Sequence, residues 1–171
     1  MTNMDRCRRY ENVALLIGAA VLVGCTSLLP ATLPVGAPIA QARQALIAPT
    51  GEYALPGGGT RLEYAQGGFG RQTYMLDFDA GGTLVSTQQV LTGENFAAIT
   101  PGLSSADVRM RLGRPVHVFS VPWQKLHVWN YRYGGGDCVW FQVSVSDAAQ
   151  QVTEAGIGTD PACDRRESPR D

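Results

Sequence analysis

Residues that bind metals or move protons are scarce in this chain. It has two histidines, His117 and His127, and neither has a Cys, Asp or Glu at the spacing a metal site needs. Half-exposed strand positions are the plainer account of both, so no metal and no cofactor are expected. No Gly-x-Ser-x-Gly elbow is present, and no serine stands with a histidine that a third group could orient. Gly57-Gly58-Gly59 and Gly134-Gly135-Gly136 lack the lysine and helix that follow a phosphate loop. Both fall between strand-like segments, where hairpin turns are expected. Asp77 and Asp79 are close carboxylates on one strand face or its end, without an acid–base partner, and read as a solvated face. No enzyme is expected. An excess of one charge is also lacking, with 14 basic against 15 acidic residues and a net charge of −1. Nucleic-acid binding normally calls for a basic patch, so no such partner is expected.

Long hydrophobic runs are absent except at the start. Arg6, Arg8 and Arg9 precede an uninterrupted apolar run, Val13–Gly24. As a helix it would rise ~18 Å, short of the ~30 Å hydrocarbon core. That length suits the hydrophobic region of a signal peptide better than a span. The run ends in Leu22-Val23-Gly24-Cys25, which resembles the lipobox of bacterial lipoproteins. The resemblance implies cleavage before Cys25, lipidation of its thiol and acylation of the new amino terminus. Several acyl chains hold a membrane where one alone is marginal. Thr26 and Ser27 follow, with no Asp to retain the protein in an inner membrane. By analogy with Gram-negative sorting, the expected location is the periplasmic face of the outer membrane, reached through the lipid anchor. Residues 1–24 then form the leader and residues 25–35, with Pro30 and Pro34, a tether.

The four cysteines have separate expected fates. Cys7 leaves with the leader and Cys25 is lipidated, so Cys138 and Cys163 remain. Two thiols in an exported chain are expected to pair, which would pin the polar tail, residues 164–171, to a strand. The alternative is half of a metal site, although no Cys or His lies close in sequence to complete one.

What the mature chain does contain is self-similarity. Gly36 to Leu46, then Pro49, aligns with Gly102 to Leu112, then Pro115, at an offset of 66. Further on the offset is 67, where Tyr64 meets Tyr131 and Gly67-Gly68 meets Gly134-Gly135. The strand phase agrees as well. Tyr74, Leu76 and Phe78 map onto Phe141, Val143 and Val145, and a slip of one residue would reverse the faces. Residues 36–92 and 93–163 thus read as two repeats, each a short helix followed by an antiparallel meander. The fold class is α+β, with the two meanders able to form one continuous sheet. Helices are expected near Pro38–Ile47, across Glu94–Ile99, and after Ser104, where Asp107 approximates a capping box and Gly113 and Pro115 stop the turn. Strands are expected near Arg61–Gln66, Arg71–Asp79, Thr83–Leu91, Lys125–Tyr133, Cys138–Ser146 and Gln150–Ile157.

Ile99, Gly102-Leu103-Ser104, Val108, Leu112-Gly113-Arg114-Pro115 and Trp129-Asn130-Tyr131 resemble the pattern of the SmpA/OmlA (BamE-like) outer-membrane assembly lipoprotein domain. The resemblance covers roughly residues 95–158, with a fainter copy over 33–91. It implies a small α/β unit that supports the insertion of β-barrel proteins. A tandem pair departs from the single domain of that family, and looks more like the two-repeat architecture of β-lactamase inhibitory proteins. Two functions follow. One is a non-catalytic lipoprotein docking on an envelope complex such as a barrel-assembly subunit. The other is an inhibitor or binder of a secreted enzyme through a concave sheet. Trp129 and Tyr131 are expected in the core. Trp140 belongs to the opposite face and Trp123 to a loop. Those two tryptophans, with Arg132 and Tyr133 at a strand end, are the expected partner-binding residues.

Overall fold

A computed structural model describes residues 30–65, 70–134 and 138–160. The leader, Cys25, Cys163, Gly67-Gly68, Gly135 and residues 164–171 lie outside these, and so do the expectations that rest on them. The chain runs α1 (Ile39–Ala45), β1 (Gly51–Ala54), β2 (Thr60–Ala65), β3 (Thr73–Phe78), β4 (Leu84–Gln89), α2 (Gly93–Ala97), α3 (Ser105–Leu112), β5 (His117–Val121), β6 (Leu126–Arg132), β7 (Val139–Ser146) and β8 (Val152–Thr159). The α+β class is as expected.

Local chemistry explains where the helices start and stop. Ser104 Oγ accepts from the Asp107 amide at 3.0 Å, capping the start of α3, and donates to Asp107 Oδ2 at 2.5 Å. Arg109 and Arg111 occupy its last turn, where positive charge suits the helix dipole. Gly113 then ends it at φ 78°, a left-handed conformation that favours glycine. Thr92 caps the short α2 through the Asn95 amide. Ahead of α1, Pro38 supplies an extended φ of −73° and no side-chain cap. That seven-residue helix is held instead by docking, with Ala42 fully buried beneath it.

Each half is an up-and-down antiparallel meander, ordered β1-β2-β3-β4 and β5-β6-β7-β8. The single continuous sheet is therefore corrected to two. One reason lies at β4, whose outer edge is already engaged at its start: Leu84 donates to Ala37 O and accepts from the Gly36 amide. β1 was not anticipated, because four residues between Gly51 and Pro56 are too few to show an alternation. The expected tether also needs correction. Pro30–Thr32 is a 3-10 turn and Leu33 is buried in the first core, so folded structure begins before residue 36.

A set of backbone bonds recurs in the two halves. Ala37 N bonds Pro34 O and Leu103 N bonds Thr100 O; Gly36 and Gly102, with φ of 91° and 89°, follow the same turn. Gly36 N then reaches Leu84 O, as Gly102 N reaches Val152 O. Leu84 N returns to Ala37 O, as Val152 N does to Leu103 O, and Ile39 and Ser105 bond Gly82 O and Gln150 O. In both halves the residue before the helix bridges the residue before the last strand, Pro38 with Thr83 and Ser104 with Gln151.

Register divides each sheet into two faces. In the first, Leu62 pairs with Leu76 and Tyr64 with Tyr74, facing α1 and a core that holds Ala42, Leu46, Phe78 and Leu84. Arg61 with Asp77 and Glu63 with Met75 form its other face. Met75 belongs to a second core with Val108 and Leu112 of α3 and with Trp129, Tyr131, Phe141 and Val143 of the second sheet. The layers thus run α1, first sheet, α3, second sheet. Val108 and Leu112 are fully buried between the sheets, each contributing roughly 1.5–3 kcal/mol by leaving water.

Candidate interaction surface

The outward face of the second sheet is built by register. Val128 pairs with Ser144, Asn130 with Gln142, and Arg132 with Trp140; His117 and Phe119 of β5 lie opposite Asn130 and Val128. One end of this face is filled by its own side chains. Trp140 is buried at 4% exposure, with the Arg132 guanidinium 5.3 Å above its ring. The rings of His117 and Phe119 lie 6.2 and 6.0 Å away. Arg132 Nε in turn donates to Asp160 Oδ2 at 2.9 Å, and Asp160 is buried. Asn130 is fully buried, accepting from Gln142 Nε2 at 2.8 Å and donating to Val128 O at 3.1 Å. Gln142 lies flat on β8 because Gly158 leaves it room; a Cβ there would come within 2.0 Å of its Oε1.

The other end of the face is open. A shallow groove of about 420 Å³ is lined by Phe119, Val121, Val128, Gln142, Ser144 and Glu154. Two residues after Val121, Trp123 stands in the 3-10 turn Pro122–Gln124 between β5 and β6, 82% exposed. Val118 and Phe119 of β5 are 43% and 37% exposed.

The four expected partner-binding residues are therefore split. Trp123 lies free in its loop. Trp140 lies on the expected face but is covered, so its ring is not a contact surface; its Nε1 has no hydrogen-bond partner among the described residues. Arg132 is committed to Asp160 and the indole. Tyr133 packs edge-on against Phe96, 4.9 Å between centroids, while Phe96 stacks on Phe141 at 4.2 Å. Trp129 and Tyr131 are core residues, as the alternation implies. Val118 and Phe119 were missed, although an uncharged strand leading to an exposed tryptophan is visible in the sequence.

Glu63 was missed as well. It is fully buried on the α3-facing side of the first sheet, accepting from Thr50 Oγ1 at 2.7 Å and Tyr53 Oη at 2.5 Å. Its neighbour across the junction is Gly113, where any Cβ would lie 2.9 Å from Glu63 Cδ. Burial, then the hydrogen bond to Glu63, pushes the Tyr53 hydroxyl above its ordinary range, and burial does the same to Tyr131. Two arginines fasten the halves across this junction: Arg61 donates to Met110 O at 2.6 Å and Arg114 to Thr50 O at 3.2 Å. The cluster joins sheet to helix, with every Glu63 oxygen engaged by a hydroxyl.

The remaining titratable groups are dispersed. Asp77 is held by Arg61 at 2.6 Å, whereas Asp79 Oδ1 accepts from the Gly81 and Thr83 amides, so the two carboxylates do separate work. His127 Nδ1 lies 2.6 Å from Asp147 Oδ1, both exposed to solvent. Cys138 takes part in a disulfide. Among the described residues no group of three His, Cys, Asp or Glu could hold a metal ion, and no helix is long and apolar enough to cross a membrane. No protein-family model, curated protein or solved structure matches the chain.

Proposed function

We propose that the chain is a non-catalytic protein-interaction module of the bacterial cell envelope, lipidated on Cys25 and held at the periplasmic face of the outer membrane. In this reading it is a tandem pair of BamE-like α/β units, closed at the end by a Cys138–Cys163 disulfide. The recurring backbone bonds around Gly36 and Gly102 support the pairing of units. One observation carries the functional reading. The face of the first sheet that bears Glu63 and Met75 is filled by α3, whereas the corresponding face of the second sheet retains an open groove beside an exposed tryptophan. The partner that the resemblance favours is a subunit of the barrel-assembly machinery.

A tagged, lipidated copy should co-purify barrel-assembly subunits from detergent-solubilised envelopes. Recovery of none of them, together with a normal outer membrane in a deletion strain, would sink the assembly role. Changing Cys25 to serine should release the protein from the membrane fraction. The second reading, a binder of a secreted enzyme, draws on the same open face, because a groove flanked by Phe119 and Val121 suits an inserted loop. Recovery of a secreted hydrolase instead of envelope subunits would favour it.

A further inference from the structure

Each sheet has two edge strands, and a free edge invites another strand unless something guards it. Three of the four carry such a guard over at least part of their length. β1 has only four residues, and its Glu52 is clamped by Arg43 at 2.8 and 2.9 Å. β4 is engaged at its start by the backbone of Gly36 and Ala37. β8 is engaged in the same way by Gly102 and Leu103, and carries Glu154 further along. β5 differs. His117-Val118-Phe119-Ser120-Val121 has no carboxylate, no lysine or arginine, no proline and no register shift against β6. Its side chains are exposed on both faces from His117 to Ser120.

Charge identifies what such an edge would accept. Residues 108–136 contain no Asp or Glu, yet hold Arg109, Arg111, Arg114, Lys125 and Arg132. β5 is bracketed by two of these, Arg114 before it and Lys125 after it, both exposed; Arg114 also reaches Thr50 O through one guanidinium nitrogen, and Asp147, whose amide bonds Lys125 O, has its carboxylate paired with His127. Two copies of β5 paired antiparallel would set Arg114 of one near Lys125 of the other, twice over. Like charges at both ends oppose self-pairing, and opposite charges would favour a different strand.

We propose that β5 is a docking edge for an extended segment of a partner protein, added to the second sheet as a fifth strand. That segment has apolar residues in alternation and acidic residues at both ends. Backbone hydrogen bonds hold it, as in other strand additions. Its outward side chains extend the groove at Phe119 and Val121, and its acidic ends meet Arg114 and Lys125. The inference rests on the reading of the chain as an interaction module and names the chemistry of what it binds.

The probe is a nine-residue peptide with a Val-Thr-Val-Thr-Val centre and two aspartates at each end, titrated into the mature protein and followed by amide spectra and hydrogen exchange. Amide shifts should centre on residues 117–121, with exchange slowed at alternate positions of β5. A peptide ending in lysines should bind at least about tenfold more weakly, and the difference should shrink in ~1 M salt, where screening shortens to ~3 Å. Phe119→Glu should abolish binding while the amide spectrum of the core is retained; if that variant does not fold, the wild-type exchange data decide. Equal binding of both peptides, or shifts centred elsewhere, would overturn the proposal. So would a dimer in sedimentation that Phe119→Glu dissolves. The same variant is tagged and compared in the envelope pull-down. Partners retained by it overturn the β5 site alone, whereas a wild-type protein that captures nothing counts against the module reading.

Discussion

The two sheets share one topology but are buried differently. The first has α1 on one face and α3 on the other, so its strands contribute to two cores. The second has α3 and α2 on one face, and its other face is partly closed by Trp140, Asn130 and Gln142 and partly open. The contrast is sharpest at one lattice position. Glu63 and Asn130 stand 67 residues apart, both fully buried and both on the face turned away from their own unit's preceding helix. Glu63 is buried by the other half of the molecule, and hydroxyls of Thr50 and Tyr53 satisfy it. Asn130 is satisfied within its own sheet by Gln142 and backbone carbonyls. A polar residue at that position is thus tolerated in two ways, and only the first ties the halves together.

The largest expected effect is at the contact between halves. Gly113→Val places a branched side chain at positive φ against Glu63 and Thr73, and should cost about 4 kcal/mol from strain and overpacking together. Urea unfolding followed by both fluorescence and far-ultraviolet dichroism tests it. Loss of less than about 1 kcal/mol would mean that the sheets are not pressed together at Gly113.

Next is Glu63→Ala, which leaves the half-buried Tyr53 hydroxyl without its acceptor and Thr50 Oγ1 with only the residue-63 carbonyl, and should cost about 2 kcal/mol, against about 1 for Glu63→Gln. Asn130→Ala should cost about 2 kcal/mol, and combining it with Glu63→Ala should be additive, because the two sites lie in different networks. Strong coupling in that double-mutant cycle would erase the distinction drawn between the two sheets.

A smaller effect is set by pH. The Tyr53 and Tyr131 hydroxyls are held above their ordinary range in the folded protein. The unfolded chain therefore releases these protons first, so their contribution is complete below pH ~10 and declines as pH rises above it. Tyr53→Phe should flatten that alkaline slope, measured as the change in unfolding free energy between pH ~9 and ~11.

The smallest effect expected is Trp123→Ala, within about 0.5 kcal/mol of wild type, since the indole is 82% exposed. A clear loss of partner capture with an unchanged urea midpoint would place its role in binding. An appreciable loss of stability would instead place it in the fold.

Much of the architecture was legible because it is written in short-range chemistry. Ser104 and Asp107 mark the start of α3, and Gly113 its end. Alternation over Tyr74–Phe78 and Phe141–Val145 marks strands with one committed face. By contrast, the cover over Trp140 is not legible, since alternation shows only that it lies opposite Phe141 and Val143. Alternation says which face a residue occupies, not what lies over that face. Arg132, His117 and Phe119 come from two strands and meet over Trp140 only once the register is set.

The sequence alone therefore determined most of the longer elements and the start and stop of α3, because each depends on residues within a few positions. Tertiary structure decided that the meanders form two sheets, that Glu63 is a buried junction residue, and that β5 lies at an edge of the second sheet. These depend on which surfaces meet across dozens of residues. The outcome there rests on desolvation and close packing at the junction, where α3 occupies one side of each sheet and nothing equivalent among the described residues fills the groove beyond the second.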